Sequence, residues 1–234
     1  MDPRGVEVLS FDCYGTLIDW ELGLSDVLEP LISAHRPDVD REQLLARYAA
    51  AEAAVEHDTP GRYPEVLAMA ATQMAAGLGV TLGEAERQQV AESVPHWPAF
   101  PDSADALARL KQRYRLIILS NVDNGSFRAS NARLGVTFDE VITAEDLGFY
   151  KPDPRAFTAL LDAVARLGVT PGRHVHVAQS LYHDHVPAQA AGLPTVWINR
   201  RQGKPGWGAT PPPPATVTPT WEYPSLAAFA DAWG

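Results

Sequence analysis

The amino-acid sequence predicts an α/β fold in which a parallel sheet carries a large helical insertion after its first strand. Short apolar runs alternate with amphipathic helical stretches, the pattern of a doubly wound parallel sheet. From about Leu22 to Val94 the pattern is helical and contains no convincing strand. We therefore predict an α/β core at residues 1–18 and 97–234 and a helical cap at residues 19–96.

Four apolar runs predict buried parallel strands, each five or six residues long: VEVLSF, RLIIL, HVHVA and PTVWI. Polar residues follow each run. Because open α/β sheets bind ligands at the carboxyl ends of their strands, these residues are the candidates for a site. They include Asp12, Ser120, Asn121, Gln179, Ser180, Asn199 and Arg200.

Helices are predicted between the strands and at the end of the chain. DSADALARLKQRY and DPRAFTALLDAVARLG begin at the N-cap candidates Asp102 and Asp153, and Gly168 follows the second stretch. Residues 203–219 are rich in Pro and Gly, which indicates an irregular loop. SLAAFADAW then predicts a terminal helix.

Composition excludes several classes of protein. The chain has 234 residues, 46% of them hydrophobic, and a formal net charge of -10. Nucleic acids and anionic membranes bind basic surfaces, so neither is an expected partner. One cysteine, Cys13, forms no internal disulfide, and the sequence shows no signal peptide or membrane-spanning run. We expect a cytoplasmic protein.

Four groups of polar residues occur in a specific order along the predicted rim of the sheet. They are DCYGT at 12–16, SN at 120–121, KP at 151–152, and SLYHDHVPA after the HVHVA strand. Each group alone is common in structural roles, but the set resembles the four motifs of the haloacid dehalogenase superfamily. The resemblance covers nearly the whole chain, including the helical cap.

The resemblance implies a Rossmann-like core and gives a role to each motif. Asp12 is the implied nucleophile, and Ser120 is implied to bind the nucleophile's oxygens or the substrate carboxylate. Lys151 is implied to hold the charge of Asp12. A carboxylate is a weak nucleophile in water, so a turn that fixes one of its oxygens is needed to aim the other. We expect Thr16 to support this turn and Gly15 to permit its bend.

Tyr14 argues against a phosphatase of the same superfamily. Phosphatases resemble Asp-x-Asp at this motif, where the second carboxylate acts as acid and base. The phenol of Tyr14 has an unperturbed pKa near 10 and is poorly suited to that role. Gln179 stands where magnesium-binding members have a carboxylate, so we expect no metal and no cofactor. A phosphatase and a non-catalytic binding protein remain the alternatives.

Asp-x-Tyr-Gly-Thr resembles the L-2-haloacid dehalogenase branch, in which the aspartate attacks C2 of a small carboxylic acid and expels halide. The resemblance implies a substrate-binding arginine from the cap, for which Arg47 is the best match, and a halide-binding asparagine, Asn121. It also implies that Asp184 orients Lys151 or the hydrolytic water. Tyr14, Trp20 and Gln179 are further candidates for substrate binding.

Four positions depart from that branch. His183 replaces an aromatic halide ligand, Leu181 replaces an asparagine, Phe157 replaces a tyrosine, and Gln179 replaces a serine of the fourth motif. Because histidine donates a proton, His183 suits a leaving group that departs as an amine better than one that departs as chloride.

A narrower resemblance points the same way. FDCYGTLIDWE, WPAFPD, SNARLGVTFD, SLYHDHVPA and RRQGKPGWGAT resemble dehalogenase-like hydrolases of L-azetidine-2-carboxylate. These enzymes open a strained ring at its C2–N bond to give 2-hydroxy-4-aminobutyrate. Glu52, Glu56, His57 and Asp58 in the cap are candidates to hold the ring ammonium. Halide and ring amine both remain open as the leaving group.

The remaining predictions concern packing and partners. Four aromatic residues, Trp20, Tyr63, Trp97 and Phe100, flank the junctions between cap and core, and the first three are expected to wall a pocket. His174 and His176 are interpreted as edge or interface residues. The expected partner is a small-molecule carboxylate, and a homodimer formed through the cap helices remains open.

Overall fold

The computed structural model describes residues 5–58 and 62–234, apart from the side chains of His57, Asp58 and Pro171. Its centre is a six-stranded parallel sheet with the strand order β3-β2-β1-β4-β5-β6. The strands are β1 (Val8–Phe11), β2 (Arg115–Ser120), β3 (Glu140–Thr143), β4 (His174–Ala178), β5 (Thr195–Ile198) and β6 (Trp221–Tyr223). The α/β fold and all four predicted strands are confirmed.

Ten α-helices surround this sheet within the described ranges. They are α1 (Trp20–Ser33), α2 (Arg41–Asp58), α3 (Tyr63–Gly77), α4 (Glu84–Ala91), α5 (Ser103–Lys111), α6 (Asn124–Leu134), α7 (Ala144–Leu147), α8 (Pro154–Arg166), α9 (Val186–Ala190) and α10 (Leu226–Trp233). Helices α1 to α4 lie between β1 and β2. Residues 1–4 of the predicted core, residues 59–61 of the predicted cap and the side chains of two cap candidates, His57 and Asp58, lie outside the described part.

Two strands of the sheet have no strong signal in the sequence. β3 and β6 are the edge strands, with four and three residues respectively, and both are partly exposed. An edge strand is half-covered, so it does not require the continuous apolar run that marks β1, β2 and β4.

One of the two predicted helix N-caps is confirmed. Asp153 accepts a hydrogen bond from Arg155 N, whereas Asp102 makes no capping bond and instead accepts from Arg200 and Ala227 N.

The hydrophobic core lies on both faces of the sheet. Successive residues of β1 and β2 alternate between the two faces, so that Leu9 and Ile118 pack on one side and Val8 and Ile117 on the other. The first of these clusters continues into the inserted helices. Burial of a Leu or Ile side chain contributes roughly 1.5–3 kcal/mol, so this shared core joins the insertion to the sheet.

The order of the strands determines where a ligand site can form. The chain passes from β1 to β2 and β3 on one side, then crosses to β4 on the other side of β1. This reversal opens a crevice at the carboxyl ends of β1 and β4, which is the usual ligand position in such sheets. Within the described residues no helix is both long and apolar enough to cross a bilayer.

Candidate active site

Asp12 follows β1 at this crevice, and both of its carboxylate oxygens are held. Thr16 Oγ1 donates to Asp12 Oδ2 at 2.7 Å, and Lys151 Nζ donates to Oδ1 at 2.9 Å. The turn from Asp12 to Thr16 needs Gly15, whose φ is 88°. A Cβ on Gly15 would lie 3.0 Å from Trp20 Nε1, so a side chain there would be crowded as well as conformationally strained.

Lys151 lies between two buried carboxylates. Its Nζ donates to Asp12 Oδ1, to Asp184 Oδ1 at 2.6 Å and to Leu119 O at 3.0 Å, which uses all three of its protons. Burial alone would lower the pKa of Lys151, but Asp12 and Asp184 outweigh that effect and raise the pKa above its usual value. Lys151 is therefore a permanent cation at neutral pH.

The charge of Asp12 depends on that cation. Burial raises the pKa of Asp12 above its usual value, and the charge of Asp184 adds to the increase. Lys151 and the hydrogen bond from Thr16 oppose it. Lys151 thus keeps the carboxylate available in a site from which water is largely excluded, where it loses its hydration shell and is more reactive.

A chain of buried hydrogen bonds extends from Asp184 into the sheet. Asp184 Oδ1 accepts from His176 Nε2 at 3.0 Å, while His176 Nδ1 lies 2.8 Å from Ser10 Oγ and His174 Nε2 lies 2.7 Å from the same oxygen. Burial lowers the pKa of both histidines to about 3, so both are neutral. The pattern assigns Nε2–H to each ring, with Ser10 donating to His176. The prediction that these histidines lie at an edge or interface is wrong, because β4 is an interior strand.

The site opens into a small cavity between the rim of the sheet and the inserted helices. It leaves about 40 Å³ for the centres of water-sized molecules, enough for a few atoms. The rim contributes Asp12, Ser120, Asn121, Lys151, His183 and Asp184 to its wall. Three atoms of this set, Ser120 Oγ, Asp184 Oδ2 and His183 Nε2, are buried without a hydrogen-bond partner among the described residues. Such groups are costly unless a ligand or water satisfies them.

The other side of the cavity comes from aromatic and acidic side chains. Trp20, Tyr63, Glu52 and Glu56 of the inserted helices line it, together with Tyr14. The Tyr14 ring stacks on Tyr63 with centroids 6.1 Å apart, and its hydroxyl lies 2.9 Å from Ser130 Oγ. Burial raises the pKa of Tyr14 well above its usual value, so the phenol is neutral.

Three of the predicted residues make hydrogen bonds that support the site, and two of them, Thr16 and Gln179, do not line the cavity. Thr16 Oγ1 accepts from Gln179 N at 2.9 Å and donates to Asp12, so it connects β1 to β4. The Gln179 side chain accepts from Thr210 rather than reaching the cavity. Asn121 lines the cavity, but its amide holds both backbone groups of Lys151, at 2.7 and 2.9 Å.

Arg47 is not brought to the site. It is exposed on α2, whose buried face carries Leu44, Tyr48, Glu52 and Val55. Glu52 and Glu56, the residues of α2 that line the cavity, are five and nine positions further along the helix, which places Arg47 on the side of α2 away from the cavity. The proposed match between Arg47 and a substrate-binding arginine is therefore corrected.

His183 reaches the cavity but not as a cation. Burial lowers its pKa to about 4, with Lys151 adding to the decrease and Asp184 opposing it. Ser180 Oγ accepts from His183 N at 2.9 Å and lies 3.1 Å from Nδ1, which leaves Nε2 as the free ring nitrogen. At neutral pH a neutral His183 offers a hydrogen bond at Nε2, and its role toward the leaving group stays a prediction.

The predicted aromatic wall is only partly formed by the residues we named. Trp20 and Tyr63 line the cavity. Trp97 is 1% exposed and packs behind Tyr14, with ring centroids 5.6 Å apart. Phe100 is a packing residue, and its ring centroid lies 4.0 Å from Cζ of Arg200.

One lining residue, Thr210 of the irregular loop after β5, was not predicted. Ser180, which follows β4, was among the candidate rim residues but had no role assigned to it. Arg201 ties this loop to the inserted helices through Glu21 at 2.7 Å and Glu42 at 2.5 Å. A loop residue without a motif gives no sequence signal, whereas Ser180 had one in its position directly after a strand.

Comparison with known proteins agrees with this geometry. A model of haloacid dehalogenase-like hydrolases matches residues 6–192. An (S)-2-haloacid dehalogenase of Pseudomonas fluorescens is 28% identical over 215 residues, 86% of this chain and 87% of that protein. A dehalogenase crystal structure with an intermediate complex has a TM-score of 0.79 and 23% identity, covering 97% of both chains.

A further structure is similar in fold. It is the L-2-haloacid dehalogenase of Xanthobacter autotrophicus with chloropropionic acid covalently bound, with a TM-score of 0.74, 20% identity and 97% coverage of both chains. The parallel sheet with its inserted helices and the match to the family model identify an α/β hydrolase. This chain belongs to the haloacid dehalogenase-like hydrolase family. An (S)-2-haloacid dehalogenase of Pseudomonas sp. that is 30% identical over 213 residues, 86% of each chain, supports the branch of the L-2-haloacid dehalogenases.

Proposed function

We propose that this protein hydrolyses the bond between C2 and its substituent in small 2-substituted carboxylic acids, through an ester on Asp12. The substituent is the halide of a 2-haloacid or the ring nitrogen of L-azetidine-2-carboxylate. The observation that carries this proposal is the position of Lys151 between Asp12 and Asp184 at the wall of a small cavity.

In the first half-reaction an Asp12 oxygen attacks C2 from the side opposite the leaving group. The bonds from Thr16 and Lys151 fix the plane of the carboxylate, which reduces the entropy lost on the way to the transition state. Ser120 Oγ, buried and unpartnered, is the proposed donor to the substrate carboxylate. The relative that carries covalently bound chloropropionic acid supports an ester intermediate by similarity.

In the second half-reaction water attacks the carbonyl carbon of the Asp12 ester. Asp184 Oδ2 has no partner among the described residues, whereas Oδ1 is held by both Lys151 and His176. The free oxygen is the proposed acceptor for the water's proton. Hydrolysis restores the Asp12 carboxylate and leaves its oxygen in the product as a hydroxyl group.

An assay of four substrates tests the proposal. L-2-chloropropionate, chloroacetate, L-azetidine-2-carboxylate and p-nitrophenyl phosphate are compared, each with and without EDTA. We expect turnover of at least one C2-substituted acid that EDTA does not change, with none from Asp12→Asn. Asp26→Asn, on the exposed side of α1, is the matched control and retains activity. Magnesium-dependent hydrolysis of the phosphate ester alone would contradict the proposal and favour a phosphatase.

A further inference from the structure

Two carboxylates of helix α2 face the nucleophile across the cavity. Glu52 and Glu56 are four residues apart, and therefore project from one side of the helix into the same cavity as Asp12. Glu52 is 5% exposed, and Glu56 is partly exposed. Neither is paired with a basic side chain among the described residues, since Lys151 is committed to Asp12 and Asp184.

Each of these carboxylates is held at one oxygen. Glu52 Oε1 accepts from the hydroxyls of Tyr48 at 3.0 Å and Tyr63 at 3.1 Å, and Glu56 Oε1 accepts from Asn121 Nδ2 at 3.4 Å. The described hydrogen bonds do not reach either Oε2. These contacts fix the orientation of the pair while leaving acceptor capacity on the cavity side.

The pair is difficult to ionise without a counter-charge. Burial raises the pKa of Glu52 to about 7, although Tyr48 and Tyr63 oppose the increase. Burial and the charge of Glu52 raise the pKa of Glu56 well above its usual value, and Lys151 opposes that increase. Two nearby carboxyl groups whose pKa values are both raised bind a proton more readily than isolated ones.

The rest of the cavity favours a ligand with both charges. Ser120 Oγ is buried, unpartnered and faces the cavity from the rim, where it suits a carboxylate. On the opposite side, the rings of Tyr14, Trp20 and Tyr63 surround the acidic pair, and aromatic faces attract cations. A ligand that carried only a carboxylate would bring a second negative charge toward Glu52 and Glu56.

We propose that Glu52 and Glu56 form a binding site for a protonated nitrogen on the substrate, so that the preferred substrate is a 2-substituted carboxylic acid whose substituent is an ammonium. This inference rests on the proposed function for its chemistry and adds the residues that select the nitrogen. The carboxylate of such a ligand lies toward Ser120, and its nitrogen lies toward the cap.

The proton balance of ring opening fits a pair that holds one proton. As an Asp12 oxygen bonds to C2, the C2–N bond breaks, and its electron pair converts the ring ammonium to a neutral primary amine. The protonated member of the pair gives its proton to that amine, which becomes an ammonium. Water then hydrolyses the ester, and the proton released in that step returns to the pair.

Two isosteric ligands test the binding site without turnover. In the Asp12→Asn background, calorimetry compares L-azetidine-2-carboxylate with its oxetane analogue, in which a ring oxygen replaces the charged nitrogen. We expect at least tenfold tighter binding of the azetidine than of the oxetane. Glu52→Gln and Glu56→Gln each reduce this preference at least fivefold, while Glu65→Gln, an exposed carboxylate of α3, leaves it unchanged.

The outcomes separate the binding site from the proposed function. Equal affinity for the two rings, absence of binding by both, or a preference insensitive to the two Gln variants would overturn the ammonium site. Wild-type enzyme incubated with azetidine and haloacid and analysed by mass spectrometry reports the Asp12 ester independently. Tighter binding of the azetidine without an ester on Asp12 would support the ammonium-binding site and contradict the proposed function. An ester on Asp12 without that difference in binding would support the proposed function and contradict the ammonium-binding site.

Discussion

His176 Nε2 donates to Asp184 Oδ1 at 3.0 Å, and both side chains are buried. The same oxygen accepts from Lys151, so His176 fixes the carboxylate that in turn fixes the lysine beside Asp12. His176 does not line the cavity and is therefore a positioning residue.

Removal of that donor should slow chemistry more than it weakens binding. For His176→Leu we expect kcat to fall about 10- to 100-fold, the effect of losing a hydrogen bond to a charged group, with KM close to that of the wild type. His176→Gln, which retains an N–H donor, should recover most of kcat. Steady-state kinetics of both variants measure this. Equal losses of kcat in the two variants would mean that His176 acts only through packing.

Replacement of Lys151 should destabilise the folded protein as well as inactivate it. Lys151→Met leaves Asp12 and Asp184 buried without a cation, which costs about 3–5 kcal/mol at pH 7. The pKa of Asp12, already raised by burial, then rises further because Lys151 no longer opposes that effect, so the folded state binds more protons and the stability of the variant recovers as pH falls. Urea unfolding at pH 5 and pH 8 measures this. Lys151→Met/Asp184→Asn should regain stability but not activity, and a pH-independent loss would contradict the account.

The pKa of Glu52 should make stability depend on pH in a defined direction. Its folded value of about 7 lies above the usual 4.5, so its stabilising contribution is fully present below about pH 4.5 and is lost as pH rises through about 7. A shift of this size corresponds to about 3 kcal/mol. Glu52→Gln should flatten the fall in unfolding free energy between pH 5 and pH 8, whereas Glu65→Gln should not. An unchanged slope in Glu52→Gln would show that this carboxyl group is ionised at no cost.

Arg47 should contribute little to substrate binding. Because it is exposed on the face of α2 away from the cavity, we expect Arg47→Ala to leave KM and kcat near their wild-type values for haloacid and azetidine alike. Steady-state kinetics with both substrates check this. A tenfold rise in KM for either would place the arginine at the site during turnover.

The central part of the fold was predictable because its strands are buried on both faces. β1, β2, β4 and β5 are continuous apolar runs, and the rim residues Asp12, Ser120 and Asp184 lie at or beyond the carboxyl ends of the first three. Their meeting point follows from the shared rim of a parallel sheet. β3 and β6 were not predicted because edge strands need less apolar surface.

The contacts between elements were less accessible to sequence analysis. The alternation in HVHVA predicts that His174 and His176 share a face. Their contacts with Ser10 and Asp184 depend on the order of the strands, which cannot be derived from the sequence pattern alone. Glu52 did leave a signal, since it interrupts the buried stripe of Leu44, Tyr48 and Val55 on α2. An acidic residue within such a stripe indicates a buried carboxylate.

The central claim is that the product oxygen comes from Asp12. A single turnover in ¹⁸O-labelled water tests it directly, with the enzyme in excess over a C2-substituted acid that it is known to hydrolyse. Mass spectrometry then locates the label in the product and in the protein. The account predicts an unlabelled hydroxyl group in the product and one ¹⁸O atom in the peptide that contains Asp12. Label in the product of the first turnover, with Asp12 unlabelled, would mean that water attacks the substrate directly and would contradict the ester mechanism.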